Sequence, residues 1–299
     1  MKCVHLKIVV GDLRGLVEDL VKRSFKILNV AVDRRGTYVY LEDHEEKDPG
    51  PVVLGWTGRP DQKPNTIEYQ KRIKAAVVTM VIGDQYKRIA EVTHPTLVAY
   101  ASRIGADFVV IRERYYSKVP TGYEKLQIGR ILENYDRVIY LDTDVIVRND
   151  TPNLLWIVPE WFIGVYNESD PTWESRIDVP GFMPGFCNSL RLPMPDYRGR
   201  YFNTGVMVVG RKHSALFTAP TVFPNCHGEQ GYLNIQIHLL GYSILELPSR
   251  FNRIPDCLYG DGTDAYIIHY LRSRISIETL LHKARKDKDS WRERGLLGH

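Results

Sequence analysis

Three features are scarce in this sequence of 299 residues, and each scarcity narrows the class of protein. No stretch reaches the ~18 consecutive apolar residues that a membrane-spanning helix needs. The first seven residues lack the long apolar core of a secretory signal peptide. Only four cysteines occur, at positions 3, 187, 226 and 257, and their spacing fits no metal site. We therefore expect free thiols in a cytoplasmic chain, with a disulfide between two of the last three cysteines as the alternative.

Glycine-rich phosphate-binding loops are also scarce. The loop after the first strand that we predict in the larger domain has Gly83 alone, without the Gly-x-Gly-x-x-Gly pattern of a dinucleotide site. No Gly-x-x-x-x-Gly-Lys occurs in the chain. The usual binding loops for NAD and ATP are therefore excluded.

Positive charge is concentrated near the C-terminus. Residues 272–294 hold eight Lys/Arg and four Asp/Glu, a difference that equals the whole net charge of +4. A nucleic-acid-binding protein usually shows a broader basic field, so we expect no nucleic-acid partner. Residues 276–288 combine an apolar helical stripe with basic residues. They predict a basic C-terminal helix that docks on its domain, and the alternative is a weak contact with an anionic membrane surface.

The pattern of apolar segments divides the chain into two predicted domains. Residues 1–66 predict a small α+β domain of unknown role, with a helix that begins at Asp12. Its predicted strands cover residues 4–10, 27–32 and 37–41. In residues 67–299 strands alternate with helices, which predicts an α/β domain with a mostly parallel, doubly wound nucleotide-binding sheet.

Strands and helices of the larger domain follow from its apolar runs. The predicted strands cover residues 75–82, 107–111, 137–141, 161–166, 201–209 and 265–270. After the first strand we expect one short helix and a second with Pro95 in its first turn. Further helices are predicted over residues 122–134 and 227–240. Residues 167–200 are rich in Pro, Gly and aromatic residues, which argues against a long helix there and predicts either an acceptor-binding lid or a structural wrap.

Two carboxylates follow the buried strand 137–141. Asp142 and Asp144 lie where that strand ends, and in open α/β sheets ligands bind at the carboxyl ends of strands. A cation between two such carboxylates relieves their repulsion, and His269 ends a later strand. Two carboxylates and one imidazole suit Mn²⁺ or Mg²⁺ better than zinc. The alternatives are a solvated turn and a structural histidine.

Six segments, in this order, resemble the family 8 glycosyltransferases, which have the GT-A fold and include glycogenin and bacterial galactosyl- and glucosyltransferases. They are residues 78–86, Lys125, residues 141–144, residues 202–208, residues 229–234 and residues 267–270. The resemblance covers residues 73–275 and leaves residues 1–66 unmatched.

The resemblance implies a nucleotide-sugar donor, usually a UDP-hexose such as UDP-glucose or UDP-galactose, a bound Mn²⁺ or Mg²⁺ ion, and transfer with retention at the anomeric carbon. It implies that Asp142, Asp144 and His269 ligate the metal. The implied contacts with the donor sugar come from Lys125, Asn203, Glu229 and Gln230. Tyr86 and the backbone around Ile82 and Gly83 are implied to face the base. Further donor contacts are implied for Met80, Thr143, Asp196, Arg272 and Arg274.

The sequence departs from the family pattern at two places. Glu229 stands where the family usually has Asp, which retains a carboxylate but lengthens its reach. Arg272 and Arg274 follow His269 where the family usually has a glycine and a phosphate-binding lysine. No pair of carboxylates can be assigned as the nucleophile and acid/base pair of a retaining glycosidase, so we expect front-face transfer without a covalent nucleophile.

Two other functions compete with this one. A non-catalytic carbohydrate- or partner-binding protein would retain the fold without turnover. A sugar-1-phosphate nucleotidyltransferase usually has a glycine-rich, basic loop after its first strand, which residues 80–85 lack. Asn203 could equally be a turn asparagine, and Glu229 and Gln230 ordinary residues of a first helical turn. The acceptor stays open among a glycan, a protein and a small molecule, as does assembly into a homo-oligomer.

Overall fold

The computed structural model describes residues 2–8, 26–33, 36–43, 73–116, 118–169, 179–225, 228–254, 265–272 and 275–297. The chain forms two compact units. One comprises residues 1–72 and 153–159, and the other comprises residues 73–152 and 160–299. Among the described residues, no helix combines the length and apolar character that crossing a bilayer requires.

In the smaller unit the described elements are a three-stranded antiparallel sheet and a one-turn helix. The strands are β1 (Lys2–Ile8), β2 (Lys26–Asp33) and β3 (Gly36–Asp43), in the order β1-β3-β2. The helix, Leu154–Ile157, is capped by the Asn153 side chain, which accepts a hydrogen bond from the Leu155 amide. The strands predicted over residues 27–32 and 37–41 are confirmed, and β1 begins and ends two residues before its prediction. The helix predicted from Asp12 lies outside the described residues.

The larger unit is built on a six-stranded sheet in the order β10-β8-β9-β6-β4-β5. These strands are β4 (Ala75–Met80), β5 (Asp107–Ile111), β6 (Arg137–Leu141), β8 (Phe162–Asn167), β9 (Phe202–Gly210) and β10 (Ser243–Glu246). All neighbours are parallel except β9, which runs antiparallel to both β6 and β8. The predicted α/β class with a mostly parallel sheet is confirmed. The reversed direction of β9 was not predicted, because an apolar run does not encode its direction.

A two-stranded antiparallel sheet pairs the segment that follows Asp144 with a segment from the C-terminal part of the chain. Its strands are β7 (Val145–Val147) and β11 (Ile267–His269), with His269 opposite Val145. Because β7 begins directly after Asp144, this pairing carries His269 to the end of β6.

Helix α1 (Asp84–Arg103) corrects the prediction of two helices in this region. It runs without interruption for 20 residues and contains Pro95 in its interior. A proline removes one backbone hydrogen bond and disfavours helix at that point. The helix nevertheless buries one continuous face, which includes Ile89, Val92, Leu97 and Tyr100, and this burial outweighs the local cost.

Helix α2 (Val179–Leu190) corrects the prediction that the stretch around residues 180–186 cannot form a long helix. The predicted irregularity rested on Pro180 and Pro184. Pro180 lies in the first turn of the helix, where proline is tolerated, whereas Pro184 lies inside the helix and its cost is outweighed by the buried face. Its buried residues recur at helical spacing: Val179, Met183, Phe186, Cys187 and Leu190.

The helix predicted over residues 122–134 also differs in type. The structure has a 3-10 helix, Thr121–Gln127, followed by a short α-helical turn, Ile128–Ile131. Helix α3 (Gly228–Leu239) agrees with the prediction over residues 227–240.

The basic C-terminal helix is α4 (Ile277–Glu293), and the Ser276 side chain caps it by accepting from the Thr279 amide. Its apolar stripe, including Leu280, Ala284 and Trp291, is buried with residues of α1 in one hydrophobic cluster. The Lys288 Nζ donates to the Val92 carbonyl at 2.6 Å. The predicted docking is therefore confirmed, and the stripe that a membrane contact would use is buried within this unit.

Cys187 is a free thiol, as predicted, and burial raises its pKa. Cys226 and Cys257 lie outside the described residues.

A buried histidine makes the stability of the larger unit sensitive to acid. The His213 Nδ1 accepts a hydrogen bond from the Gly210 amide at 2.9 Å, and burial lowers the pKa of His213 from 6.5 to about 4. The folded chain therefore binds this proton more weakly than the unfolded chain. The stabilisation is complete above pH 6.5 and is lost as the pH falls towards 4.

Between pH 7 and pH 4 we expect the free energy of unfolding, measured in urea, to fall by about 3 kcal/mol because of His213. This is the free-energy equivalent of the difference between its pKa values in the unfolded and folded chain. A His213→Asn variant keeps an acceptor for the Gly210 amide but cannot take up a proton there. Its free energy of unfolding should therefore decrease by about 3 kcal/mol less than that of the wild type between pH 7 and pH 4. His94, whose pKa is also lowered to about 4, should account for part of what remains. An unchanged pH dependence in the variant would contradict the assignment.

Candidate functional site

The site lies at the carboxyl end of β6, where two strands anchor its loop. The Asp142 amide donates to the Gly205 carbonyl on β9 at 2.8 Å. The Tyr270 amide, at the end of β11, donates to the Asp144 carbonyl at 3.0 Å. Because β9 is antiparallel to β6, its first residues lie beside the last residues of β6. The backbone thus fixes both carboxylate-bearing residues before any side-chain contact is considered.

Asp142, Asp144 and His269 converge as predicted. One ligand atom from each lies within 4.8 Å of the other two. The His269 Nε2 is 3.4 Å from Asp144 Oδ1 and 3.7 Å from Asp142 Oδ2. Asp144 and His269 are buried, whereas the Asp142 side chain keeps a quarter of its surface exposed. The group is therefore a nearly enclosed set of two oxygens and one nitrogen with one open side.

A glycine makes room for this group. A Cβ on Gly205 would overlap the His269 ring, at 2.7 Å from Nδ1, and would lie 2.9 Å from Asp142 Oδ2. No side chain therefore fits at position 205 while the two ligands stay where they are.

The three side chains compensate one another electrostatically. Burial raises the pKa of Asp142, and the negative charge of Asp144 adds to this against the opposing effect of Lys125. Burial would also raise the pKa of Asp144, but His269 and two backbone amides lower it below its usual range. Burial opposes the charged form of His269, yet the two carboxylates raise its pKa overall. The cluster thus favours a positive charge at its centre, which a proton or a metal cation can supply.

Lys125 connects the group of Asp142, Asp144 and His269 to Glu229. Its Nζ lies 3.3 Å from Asp142 Oδ1 and 2.9 Å from Glu229 Oε1. It also donates to the carbonyl and hydroxyl oxygens of Thr204, both at 3.2 Å, and lies over the Tyr140 ring. Burial disfavours the ammonium, but the two carboxylates outweigh this and raise the pKa of Lys125. A buried, permanently positive group therefore stands between the two acidic residues.

The predicted sugar-contacting residues lie together beside Lys125. Gln230 accepts from the Thr204 amide at 3.2 Å and donates to Glu168 Oε2 at 3.1 Å. Asn203 is only 2% exposed, and its amide is hydrogen-bonded inside the protein. Glu229 and Gln230 thus remain partly accessible, while Asn203 lies behind them.

Thr143 joins the loop that carries Asp142 and Asp144 to β4. Its hydroxyl donates to the Met80 carbonyl, and its own carbonyl accepts from the Thr93 hydroxyl at 2.7 Å. The Met80 backbone therefore lies beside the loop at the carboxyl end of β4.

The predicted base-binding edge follows Met80. Ile82 is half-buried, and Gly83 is exposed with a φ of 94°, a backbone conformation that favours glycine. Tyr86 is half-buried, and burial followed by the charges of Asp144 and Asp142 raises its pKa. Its ring is thus near the carboxylates.

Arg272 lies at the edge of the group of Asp142, Asp144 and His269. Its backbone amide donates to Asp144 Oδ2 at 2.5 Å, and its guanidinium donates to the Ile275 carbonyl and the Gln85 side chain. The buried Nε has no hydrogen-bond partner among the described residues. Arg274 lies outside the described residues.

Asp196 lies apart from these contacts. Its exposed carboxylate pairs with Arg198 at 3.1 Å and lines a cavity of about 460 Å³ beside Ser169 and Pro180. None of its described contacts involves Asp142, Asp144 or His269.

Five residues of the site were not predicted: Tyr140, Glu168, Thr204, Gly205 and Asn252. Tyr140 donates to Asp142 Oδ1 at 2.8 Å, and its position two residues earlier on β6 could have indicated this. Thr204 and Gly205 lie within the strand that carried the resemblance. Asn252, whose Oδ1 is 2.9 Å from His269 Nδ1, has no spacing in the sequence that would have revealed it.

Comparison with protein families identifies residues 67–215 as matching the model described as glycosyl transferase family 8. This match supports a glycosyl transfer function. The match ends before Glu229, Gln230 and His269. These three residues lie outside the matched segment, and the fold brings them next to residues inside it, such as Asp142 and Lys125. A comparison with curated protein sequences finds no match.

Several solved structures are similar to this chain. A glycosyltransferase involved in the glycosylation of the major capsid of PBCV-1 has 13% identity and a TM-score of 0.49, over 71% of this chain and 99% of that one. The bifunctional glycosyltransferase WbbM has 15% identity and a TM-score of 0.48, over 67% of this chain and 46% of its own. Mouse xyloside xylosyltransferase 1 has 14% identity and a TM-score of 0.39, over 67% and 99%. All three TM-scores lie below 0.5, so we infer the chemistry from the family match and the side chains of the site.

Proposed function

We propose that this chain, which belongs to glycosyl transferase family 8, transfers a hexose from UDP-glucose or UDP-galactose to an acceptor. The transfer retains the configuration at the anomeric carbon and requires a bound divalent metal ion. The observation that carries the proposal is the convergence of Asp142, Asp144 and His269, all within 4.8 Å, at the carboxyl end of β6. Ligands bind at this edge of open α/β sheets.

The residues present fit a hard divalent cation. Two carboxylate oxygens and one imidazole nitrogen suit Mn²⁺ or Mg²⁺, whose remaining positions accept phosphate oxygens and water. The space that Gly205 leaves open beside His269 and Asp142 is consistent with a built site. When bound, the ion would act as a Lewis acid on the diphosphate leaving group.

The side chains around this group supply the rest of the donor site. Tyr86 would pack against the base, and the partly buried Arg272, whose backbone amide donates to Asp144, would contact the diphosphate. Lys125 would hold Glu229 and Asp142 in place through its two ion pairs. Glu229 and Gln230 would line the hexose and stabilise the positive charge that develops at its anomeric carbon.

Retention would then proceed on one face of the sugar. The carboxylate nearest the proposed sugar position, Glu229, is neutralised by Lys125 at 2.9 Å. A paired carboxylate is a poorer nucleophile than a free one, which favours front-face transfer over a covalent intermediate. The acceptor would approach from the open side of the site.

We expect Mn²⁺ together with a UDP-hexose to raise the melting temperature of the chain. A ligand at ~100 times its Kd stabilises by about 2.7 kcal/mol, which corresponds to a shift of several degrees for a domain of this size. A thermal-shift screen of UDP-glucose, UDP-galactose and GDP-mannose, with Mn²⁺ or EDTA, measures this directly. Release of UDP from the stabilising donor, with and without EDTA, then tests turnover.

Three outcomes separate the candidate functions. Mn²⁺-dependent stabilisation with UDP release supports the proposal. Stabilisation by a carbohydrate alone, without UDP release, would contradict it and support a binding protein. Formation of a nucleotide-sugar from a nucleoside triphosphate and a sugar 1-phosphate would contradict it in favour of a nucleotidyltransferase.

A further inference from the structure

We infer, on the basis of the proposed metal site, that Asn252, Asn203 and Glu168 are positioning residues that direct the Nε2 lone pair of His269 towards Asp142 and Asp144. The three side chains form a continuous line of hydrogen bonds behind the histidine. His269 Nδ1 lies 2.9 Å from Asn252 Oδ1, Asn252 Nδ2 donates to Asn203 Oδ1 at 2.9 Å, and Asn203 Nδ2 donates to Glu168 Oε2 at 3.2 Å.

The orientation of the Asn203 amide is fixed by its two other partners. The Gly205 backbone N–H can only donate, and it donates to Asn203 Oδ1 at 2.9 Å. Glu168 Oε2 accepts from both Asn203 Nδ2 and Gln230 Nε2. Reversing the Asn203 amide would bring donor against donor at Gly205 and acceptor against acceptor at Glu168, which a buried site does not tolerate.

The orientation of Asn252 follows from that of Asn203. Since Asn203 Oδ1 is an acceptor, Asn252 must present its NH₂ group to it, and its own Oδ1 then faces His269. An amide oxygen can only accept, so His269 Nδ1 must carry a hydrogen. In neutral imidazole the other nitrogen, Nε2, is then the one with the lone pair.

The line of hydrogen bonds therefore selects the tautomer that a metal ligand requires. His269 Nε2 is the nitrogen closest to the two carboxylates, at 3.4 and 3.7 Å. Metal-binding histidines in general donate their second ring N–H to a fixed acceptor, which orients the ring and increases metal affinity. Here that acceptor is an amide whose own orientation is set by a backbone N–H and a buried carboxylate.

Burial shields these hydrogen bonds from solvent. Asn252 is fully buried, and Asn203, Glu168 and His269 are each 2% exposed, so water does not compete for their hydrogen bonds. The same Glu168 oxygen holds Gln230, one of the residues proposed to line the hexose. His269, through Asn252 and Asn203, and Gln230, directly, are thus both hydrogen-bonded to the buried carboxylate of Glu168.

Two substitutions at position 252 test the inference. Asn252→Leu keeps the approximate size of the side chain but offers His269 no acceptor. Asn252→Asp keeps an acceptor oxygen for His269 Nδ1 but loses the hydrogen that Asn252 Nδ2 donates to Asn203 Oδ1, so it separates the direct acceptor from the rest of the line. Asn188→Leu, at an exposed position of α2, is the matched control. For each variant we would measure Mn²⁺ affinity by electron paramagnetic resonance and the ¹⁵N shifts of His269 at alkaline pH, where the neutral ring reports its tautomer.

We expect one tautomer, with hydrogen on Nδ1, in the wild type and in Asn252→Asp. In Asn252→Leu we expect a mixture of tautomers and Mn²⁺ affinity reduced about 10- to 100-fold, with Asn252→Asp closer to the wild type. Asn188→Leu should match the wild type in both measurements.

A folded Asn252→Leu variant with wild-type Mn²⁺ affinity and an unchanged tautomer would overturn the inference and leave the proposed function standing. A wild type that binds no Mn²⁺ would instead contradict the proposed function. In that case the ¹⁵N shifts would still decide whether Asn252 sets the tautomer. If Asn252→Leu fails to fold, the shifts of the wild type alone decide, because hydrogen on Nε2 would contradict the inference.

Discussion

Replacement of Asp144 by Asn should lower the Mn²⁺-dependent release of UDP by about 10³-fold or more. The change preserves the shape of the side chain and an oxygen that can accept from the Arg272 amide, so the loop has no steric reason to move. It removes one of the two negative charges that face His269. A loss of about 4 kcal/mol of transition-state stabilisation, the scale expected when a catalytic metal is lost, gives this factor.

The measurement is UDP release as a function of Mn²⁺ concentration, beside the melting temperature of each variant. Asp289→Asn is the matched control, because Asp289 is an exposed aspartate of α4 whose only described ion pair, with Arg292, lies on the surface. Asp289→Asn should retain wild-type turnover. Turnover of Asp144→Asn near the wild-type level, at the same Mn²⁺ concentrations, would show that the metal assignment is wrong.

The strands of the larger unit could be predicted because their signals are local. The run before Asp142 is apolar since β6 is buried on both faces between β4 and β9. Such a run reveals the strand and its end, and hence the two carboxylates. It reveals neither the neighbours of the strand nor its direction, which is why the antiparallel placement of β9 came only from the structure.

The errors in α1 and α2 share one cause. Pro95 and the pair Pro180 and Pro184 were each given more weight than the apolar spacing around them. The buried faces of α1 and α2 show that packing decided the outcome. The spacing of Val179, Met183 and Phe186 was visible in the sequence, so the signal for α2 existed but was outweighed by composition.

The residues of the site also fall into those that could be predicted from the sequence and those that could not. Asp142 and Asp144 lie in the loop directly after β6 and His269 ends β11, so their meeting could be predicted from the rule that ligands bind at the carboxyl ends of strands. Asn252 and Glu168 could not be predicted, because single polar residues between apolar ones acquire a role only through burial and through partners distant in the sequence. Asn252 lies 17 residues from His269, and Glu168 lies 35 residues from Asn203.

Substitution of Gly205 by Ala should strongly weaken metal binding although it changes none of the three proposed metal ligands. The new Cβ would overlap the His269 ring and approach Asp142 Oδ2, so at least one of the two must move. Neither can move freely, because His269 is held by Asn252 and Asp142 by Lys125 and Tyr140. We expect the variant to lose on the order of 1–3 kcal/mol of stability through overpacking.

Mn²⁺ affinity should fall by about 100-fold or more, since displacement of one ligand that costs at least ~2.7 kcal/mol of binding free energy has this effect. Titration followed by electron paramagnetic resonance measures the affinity, and urea unfolding measures the stability. Gly185→Ala is the control, because a Cβ there meets nothing within 4 Å and the residue lies in α2. That change should leave metal affinity unaltered and should not destabilise the chain.

The combination of Gly205→Ala with His269→Ala separates the steric effect from a general loss of structure. Truncation of the ring removes the overlap, so the double variant should recover part of the stability that Gly205→Ala loses, while its Mn²⁺ affinity stays low. Restored stability with absent metal binding would locate the effect of residue 205 at the His269 ring. Wild-type Mn²⁺ affinity in the single variant would mean that the ion, if it binds, does not use His269 and Asp142 together.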